Sequence, residues 1–395
     1  MDILPSEEEQ MLKNVAREFL EAEISTAMVR EMELDGLGYS PALWKQMADL
    51  GWLGLALPEK YGGQALPLTY LGLVLEEAGR VLAPVPLHST AVAALTIAND
   101  GTEQQKQDIL PAVSDGSMVL TWAVHERDPR LVPEAMQVQA IATGEGDGDG
   151  WVLNGTKMFV DNFVVAQRCL VACRTSPASD ANQGISLFLV DPNGTGVTQT
   201  SLTTLAKDKQ SRVDFQNVRV ERTALVGDVD EGWPIIQRML DRATALLCCQ
   251  MVGAARKDAE MAIDYAKNRV AFGRPIGSFQ SVQHMLADMI LHVDGGQMLT
   301  YEALWNMDQG LPSSVEVSQA KAFCNEKCEV VVRHSQVIHG GIGFMMEFDL
   351  HLWFRRVTSW TMRLGTTYDH RARIAAALLD VPGKVRLGLP LPTGT

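Results

Sequence analysis

Positive charge is in short supply in this chain. Lys and Arg number 34 against 48 Asp and Glu, a formal charge of −14 at pH 7. No Lys/Arg cluster offsets that balance, which argues against a nucleic-acid-binding surface. It leaves anionic small ligands open, since a local group of arginines suffices to hold one. No apolar run is long enough to span a bilayer, and Met1 to Gln10 is acidic and lacks an apolar signal core, so no membrane association is expected. Cysteine is sparse as well, with six in 395 residues. Cys324 and Cys328 lie one helical turn apart, but no second pair or His cluster completes a metal site, so no metal is expected. Buried free thiols in a reducing cytoplasm are the simplest expectation.

What is present is a soluble globular composition, 46% hydrophobic and 21% charged, with enough length for two or three packed units. Ser6-x-x-Glu9 reads as a capping box opening a helix to about Glu31. A second helix is expected from Leu43 to Gly54, with others over Leu68–Leu82 and Ser89–Asn99 and a short one after Thr102. From Val119 to about Val226 the texture changes to short alternating or apolar segments separated by Gly, Asp, Asn and Pro. That pattern predicts a compact β-domain rather than βαβ units. Long helices return over Ile235–Arg269, Phe279–Gln309 and Val315–His339. Gly340 to Phe344 interrupts them before a last helix from Leu350 to Ala377, and the tail from Val381 is expected to be irregular. The boundaries read as 1–117, 118–232 and 233–395.

The most informative run is Tyr265 to Met289, YAKNRVAFGRPIGSFQSVQHMLADM. Pro275 provides no N–H and disfavours helix at Arg274, so the first helix ends there and a second begins near Phe279. On spacing alone this is an ordinary helix–turn–helix corner. The residue types allow more: Arg269 offers a forked donor for a pyrophosphate, Phe272 a flat face for an aromatic ring, and Gln280 a donor and an acceptor for a ring edge.

The longer pattern, Arg-x-x-Phe-Gly-Arg-Pro-Ile-x-x-Phe-Gln with Gln-x-x-Leu-Ala-Asp-Met, resembles a signature of the acyl-CoA dehydrogenase family. So do Pro58-Glu59-Lys60-Tyr61-Gly62-Gly63, Gly101-Thr102-x-x-Gln105-Lys106 and Asn154-Gly155-Thr156-Lys157. The resemblance covers nearly the whole chain. It implies a mainly α fold with a central β-domain: an N-terminal helical domain, a middle β-barrel-like domain and a C-terminal four-helix bundle. It also implies FAD as cofactor and oxidation of an acyl-CoA thioester to the 2,3-enoyl-CoA. In the family, positions matching Arg269, Phe272, Gln280, Gly340 and Gly341 reach the flavin of a neighbouring subunit, while Val124, Phe159 and Thr366 fall where a chain meets its own flavin.

The same resemblance marks departures. His125 and Arg127 replace a usual threonine and proline, and Asp161 replaces a hydroxyl. The family's late Glu-Gly-Thr triplet is Leu364-Gly365-Thr366 here, so one branch's catalytic carboxylate is missing. A second branch places Glu before Arg early in the first long C-terminal helix, where this chain has Asp241-Arg242. Asp241 is then the candidate base, about 1.5 Å shorter in reach than Glu, and Arg242 a substrate contact; the alternative is a solvated helix carboxylate. Glu347, Asp349 and His351 read as structural. The implied partners are an electron-transferring flavoprotein as acceptor and a homo- or heterotetramer, the latter as in enzymes of sterol or cyclic-acid catabolism. A non-catalytic scaffold subunit and a same-fold flavin oxidase or monooxygenase are the other readings.

Overall fold

The computed structural model describes residues 5–144, 149–177 and 184–380, and the expected irregular tail lies outside them. Six helices come first: α1 (Glu7–Glu23), α2 (Thr26–Leu34), α3 (Pro41–Asp49), α4 (Leu68–Arg80), α5 (Leu87–Asp100) and α6 (Glu103–Ser114). The capping box at Ser6 and Glu9 forms as expected. The single helix expected to Glu31 is two, because Ser25 caps a new start and accepts from the Met28 amide. The helix expected to Gly54 stops at Asp49, where Gly51 takes φ 77° and one short 3-10 turn follows.

The β-domain contains β1 (Leu120–Ala123), β2 (Gln139–Ala142), β3 (Gly150–Asp161), β4 (Arg168–Arg174), β5 (Ile185–Val190), β6 (Val197–Leu202), β7 (Gln210–Glu221) and β8 (Leu225–Val226). They form one sheet in the order β6-β7-β3-β2-β4-β5-β8, with β1 added parallel to β4. The segments read separately around Trp151 and Lys157 are one strand. Its register shifts at Leu153/Gly155 and again at Lys157/Val160, and those irregularities disguise the alternation. Trp151, Leu153, Phe188 and Phe215 make a core of this domain's own, distinct from the larger helical core.

The bundle consists of α7 (Gly232–Asn268), α8 (Gln280–Asp308), α9 (Ser314–His339), α10 (Leu350–Trp360) and α11 (Thr367–Leu379). The helix expected from Leu350 to Ala377 breaks at Leu364 and Gly365, both at positive φ. At 37 residues α7 is the spine of the domain, and it crosses α4 at small residues. A Cβ on Gly253 would sit 1.8 Å from the Glu76 carbonyl, and one on Gly79 would sit 2.2 Å from that of Gln250. Buried charge fastens the same crossing to α1 and α8: Lys13 Nζ donates to Glu76 at 2.8 Å and to the Tyr301 hydroxyl at 2.9 Å. Every cysteine is buried and free. Among the described residues no helix is long and apolar enough to cross a membrane.

Candidate functional site

The corner after α7 turns its chemistry outward. Val270–Ala271 pairs antiparallel with Arg274–Pro275, and the two turn residues, Phe272 and Gly273, sit at φ 52° and 77°. Two successive positive φ values match the twist of a tight hairpin, but a bulky side chain in that region is unusual. Phe272 is 95% exposed. Its ring meets Phe279 edge-on at 6.1 Å, and the Arg274 guanidinium lies 4.2 Å from the Phe279 centroid. Arg269 and Gln280 are exposed on either side.

The glycine loop lies at the same end of the bundle, because Tyr265 stacks on His339 with centroids 4.3 Å apart. Gly340 takes φ 65°, and a Cβ on either Gly340 or Gly341 would meet nothing within 4 Å. No neighbour within the chain therefore requires these two glycines to be bare. Phe344, Met345 and Met346 continue the exposed apolar surface. The set offers a cation, an aromatic face, an amide and open backbone, which suits a dinucleotide.

The other candidate half-site faces inward. Val124 is buried, and its carbonyl accepts from Lys157 Nζ at 3.3 Å. Lys157 also pairs with Glu126 at 2.6 Å, both buried, and Glu126 accepts from the Gln137 and Val138 amides at 2.8 and 3.2 Å. Phe159 is half exposed, again at positive φ. Thr366 is the N-cap of α11 in a capping box with Asp369, so its hydroxyl is engaged locally. Asp161 ion-pairs with Arg363, which also lies 3.5 Å from Asp208. Leu364, where the family's carboxylate would stand, is 2% exposed and packs in the core. Asp161, Asp208 and Arg363 line a cavity of about 80 Å³ together with His88, Gln250 and Trp360. Burial, reinforced by the Arg363 cation, pushes the His88 imidazole down to about 4, so it is neutral near pH 7. Its Nε2 bonds the Ala243 carbonyl at 2.9 Å.

Asp241 and Arg242 line a different cavity, of about 510 Å³, between the start of α4 and the α8–α9 connection. The two cavities have no lining residue in common. Asp241 accepts from the Ser314 hydroxyl at 2.5 Å, and burial raises its pKa. Arg242 Nη1 is buried without a hydrogen-bond partner, and burial lowers that pKa. Asp241 therefore lines a different cavity from Asp161 and Arg363. Asp349 pairs with Arg30 at 2.7 Å and His351 accepts from Arg355 at 3.1 Å, so both hold local structure.

The reading of motifs missed Arg363, Lys157 with Glu126, and His88. A carboxylate at 161, where the family carries a hydroxyl, signals that a cation faces it, but nothing in the sequence identifies that cation as Arg363.

Three family models match consecutive parts of the chain. Residues 6–117 match the N-terminal domain of acyl-CoA dehydrogenases, 131–218 the middle domain and 230–379 the C-terminal domain. A probable acyl-CoA dehydrogenase of Bacillus subtilis (strain 168), YngJ, is 29% identical over 381 residues, covering 95% of this chain and 98% of that protein. Among solved structures, the Tcur3481–Tcur3483 steroid ACAD is 31% identical at a TM-score of 0.84, covering 95% of this chain and 98% of the other. The ChsE4–ChsE5 complex from Mycobacterium tuberculosis is 26% identical at a TM-score of 0.88, covering 97% and 100%. Together with the helix–sheet–helix order and the outward-turned corner, these likenesses mean that the chain belongs to the acyl-CoA dehydrogenase family.

Proposed function

We propose that this chain is one subunit of a heteromeric FAD-dependent acyl-CoA dehydrogenase, probed best at the corner it presents to a partner. The assembly converts an acyl-CoA thioester to the 2,3-enoyl-CoA, and a homologous second chain supplies the rest of the flavin site and the base. The observation that carries this reading is the outward corner itself: Phe272 is 95% exposed at a conformation unusual for its size, and the neighbouring glycines are open to an external group. That cradle fits a flavin nucleotide. When bound, FAD supplies the two-electron acceptor. Arg269 would neutralise its pyrophosphate, Phe272 would pack on a ring, Gln280 would bond an edge, and the Gly340–Gly341 backbone would allow close approach.

The inward half-site does not fit that group. Leu364 offers no proton acceptor, and Asp161 is committed to Arg363. These departures support a division of labour in a tetramer of two unlike chains, and the likeness to a two-chain complex and to a steroid ACAD supports a sterol-derived or similarly bulky acyl group. An electron-transferring flavoprotein is the acceptor this reading implies, in the cytoplasm.

The test is purification alone and after co-expression with a second dehydrogenase-like chain encoded beside it. The chain alone is expected to be colourless and inactive. The pair is expected to be yellow and to reduce an artificial acceptor with an acyl-CoA. A yellow, active homotetramer of this chain would overturn the proposal.

A further inference from the structure

The space between the end of β3 and the turn after α10 is closed by charge. Asp161 is two residues beyond Phe159 on β3, and Arg363 directly precedes Leu364. Their ion pair, extended to Asp208 at 3.5 Å, fills the place where the two motif segments face each other. About 80 Å³ remains there, whereas ligand pockets usually offer roughly 300 Å³ or more.

Neither side of the pair is free to move aside with its backbone. The turn carrying Arg363 is held by three buried groups: Lys321 Nζ donates to the Trp360 carbonyl at 2.8 Å, Asn325 Nδ2 to the Gly365 carbonyl at 3.2 Å, and His370 Nε2 to the Leu364 carbonyl at 2.9 Å. Leu364 anchors it further from within the core. On the opposite wall, the Thr121 hydroxyl donates to the Asp161 carbonyl, and the Asn162 amide donates to the Lys209 carbonyl at 2.8 Å. Asn162 Nδ2 adds a bond to the Ser89 hydroxyl at 3.0 Å. Admitting a planar ring requires separating Arg363 from two carboxylates in a largely dehydrated space, which leaves charges uncompensated.

We infer that Arg363, locked to Asp161 and Asp208, is a plug that bars a flavin ring from this chain's own half-site. Flavin then binds only against the lent corner, one FAD for each pair of unlike chains. The inference rests on the reading of that corner as a flavin surface, but the plug can fail without it.

The measurement is FAD content per chain of the purified assembly, with titration of added FAD followed by quenching of flavin fluorescence. Wild type is expected to hold one FAD per two chains. Asp161→Ser/Arg363→Ala is expected to raise that toward two, with at least tenfold tighter uptake at the added site. Two FAD per pair in wild type would overturn the plug, and so would a folded double variant that takes up no more than wild type; the heteromer itself would survive either result. Conversely, if Arg269→Ala leaves flavin content unchanged while the double variant still gains FAD, the plug stands and the lent corner falls. Should the double variant not fold, Asp161→Asn/Arg363→Gln keeps the shape and removes both charges. That pair is expected to gain FAD as well, and a folded form without gain overturns the plug.

Discussion

The corner at 269–280 and the turn at 361–366 use similar residues to opposite ends. Both carry arginine, and both carry a large side chain at positive φ, Phe272 in one and Leu364 in the other. At the turn, Leu364 is buried and Arg363 has found carboxylates within the chain. At the corner, Phe272 is almost wholly in solvent and Arg269 is exposed beside it. Strain compensated by internal packing needs no further explanation. Strain that leaves an aromatic ring in water points to a group outside the chain.

The most damaging way to probe the inward side is to remove Lys157. Its ammonium is fully buried against Glu126 and ties β3 to the segment after β1. Lys157→Ala leaves that carboxylate buried and unpaired, a loss expected to cost about 3–5 kcal/mol. Urea unfolding of the purified chain measures it. Unchanged stability would mean that Glu126 is solvated, and that this region is as open as the corner.

Acid should act on the inward side next. In the fold the His88 imidazole titrates at about 4, below the ordinary histidine value near 6.5. The unfolded chain therefore takes up a proton that the folded chain refuses, so this contribution to stability is present above pH 6.5 and is lost as pH falls toward 4. Between pH 7 and pH 5 the loss is on the order of 2 kcal/mol for this one group. His88→Asn should flatten that part of the pH–stability curve, and an unaltered slope would show that the imidazole protonates freely in the fold.

How much of this contrast was legible beforehand differs between the two sides. The corner could be read because its information is local: a proline, two glycines and an aromatic within ten residues fix a helix end, a tight turn and an exposed ring. The helical and β textures could be read because periodicity is local too. The Arg363–Asp161 contact joins residues two hundred apart through two domains, and no pattern in either segment encodes that meeting. The same holds for Lys157 with Glu126, where the motif lysine was visible but not its buried partner. The break at Leu364–Gly365 was missed because a leucine reads as a helix former, while buried Asn325 and His370 bond the carbonyls of Gly365 and Leu364 in the turn. Asp241 was legible only as a dipeptide match early in the long helix, and no local pattern indicates that it lines a cavity separate from that of Asp161 and Arg363.

On the outward side the effects should appear in binding and not in folding. Phe272→Ala removes an exposed ring, so unfolding should change by less than about 0.5 kcal/mol. FAD retention by the assembled enzyme should fall at least tenfold, about 1.4 kcal/mol. Equal losses in both measurements would make Phe272 an ordinary structural residue. The glycines refine this further. Gly340→Ala places a Cβ at φ 65° and ψ −140°, a conformation essentially reserved for glycine, and should destabilise the chain by about 1–3 kcal/mol. Gly341→Ala meets no atom of the chain within 4 Å and should leave folding unchanged. If Gly341→Ala nonetheless weakens FAD retention, the added methyl has met something from outside.

The smallest expected effect is at Asp241, and it decides whether the second cavity takes part in the chemistry. Burial raises the pKa of Asp241 in the direction that suits a general base, but the Ser314 hydroxyl already donates to its Oδ2. Its cavity is walled by the start of α4 and the α8–α9 connection, and residues 159–161, 269–280 and 363–366 do not line it. Asp241→Asn keeps the shape and removes the basicity, so turnover by the assembled enzyme should stay within about twofold. Loss of a general base typically costs on the order of 10²–10⁴-fold, which stopped-flow reduction by acyl-CoA would resolve easily. A fall of that size would place the base in the larger cavity and make that cavity the acyl-CoA site of this chain.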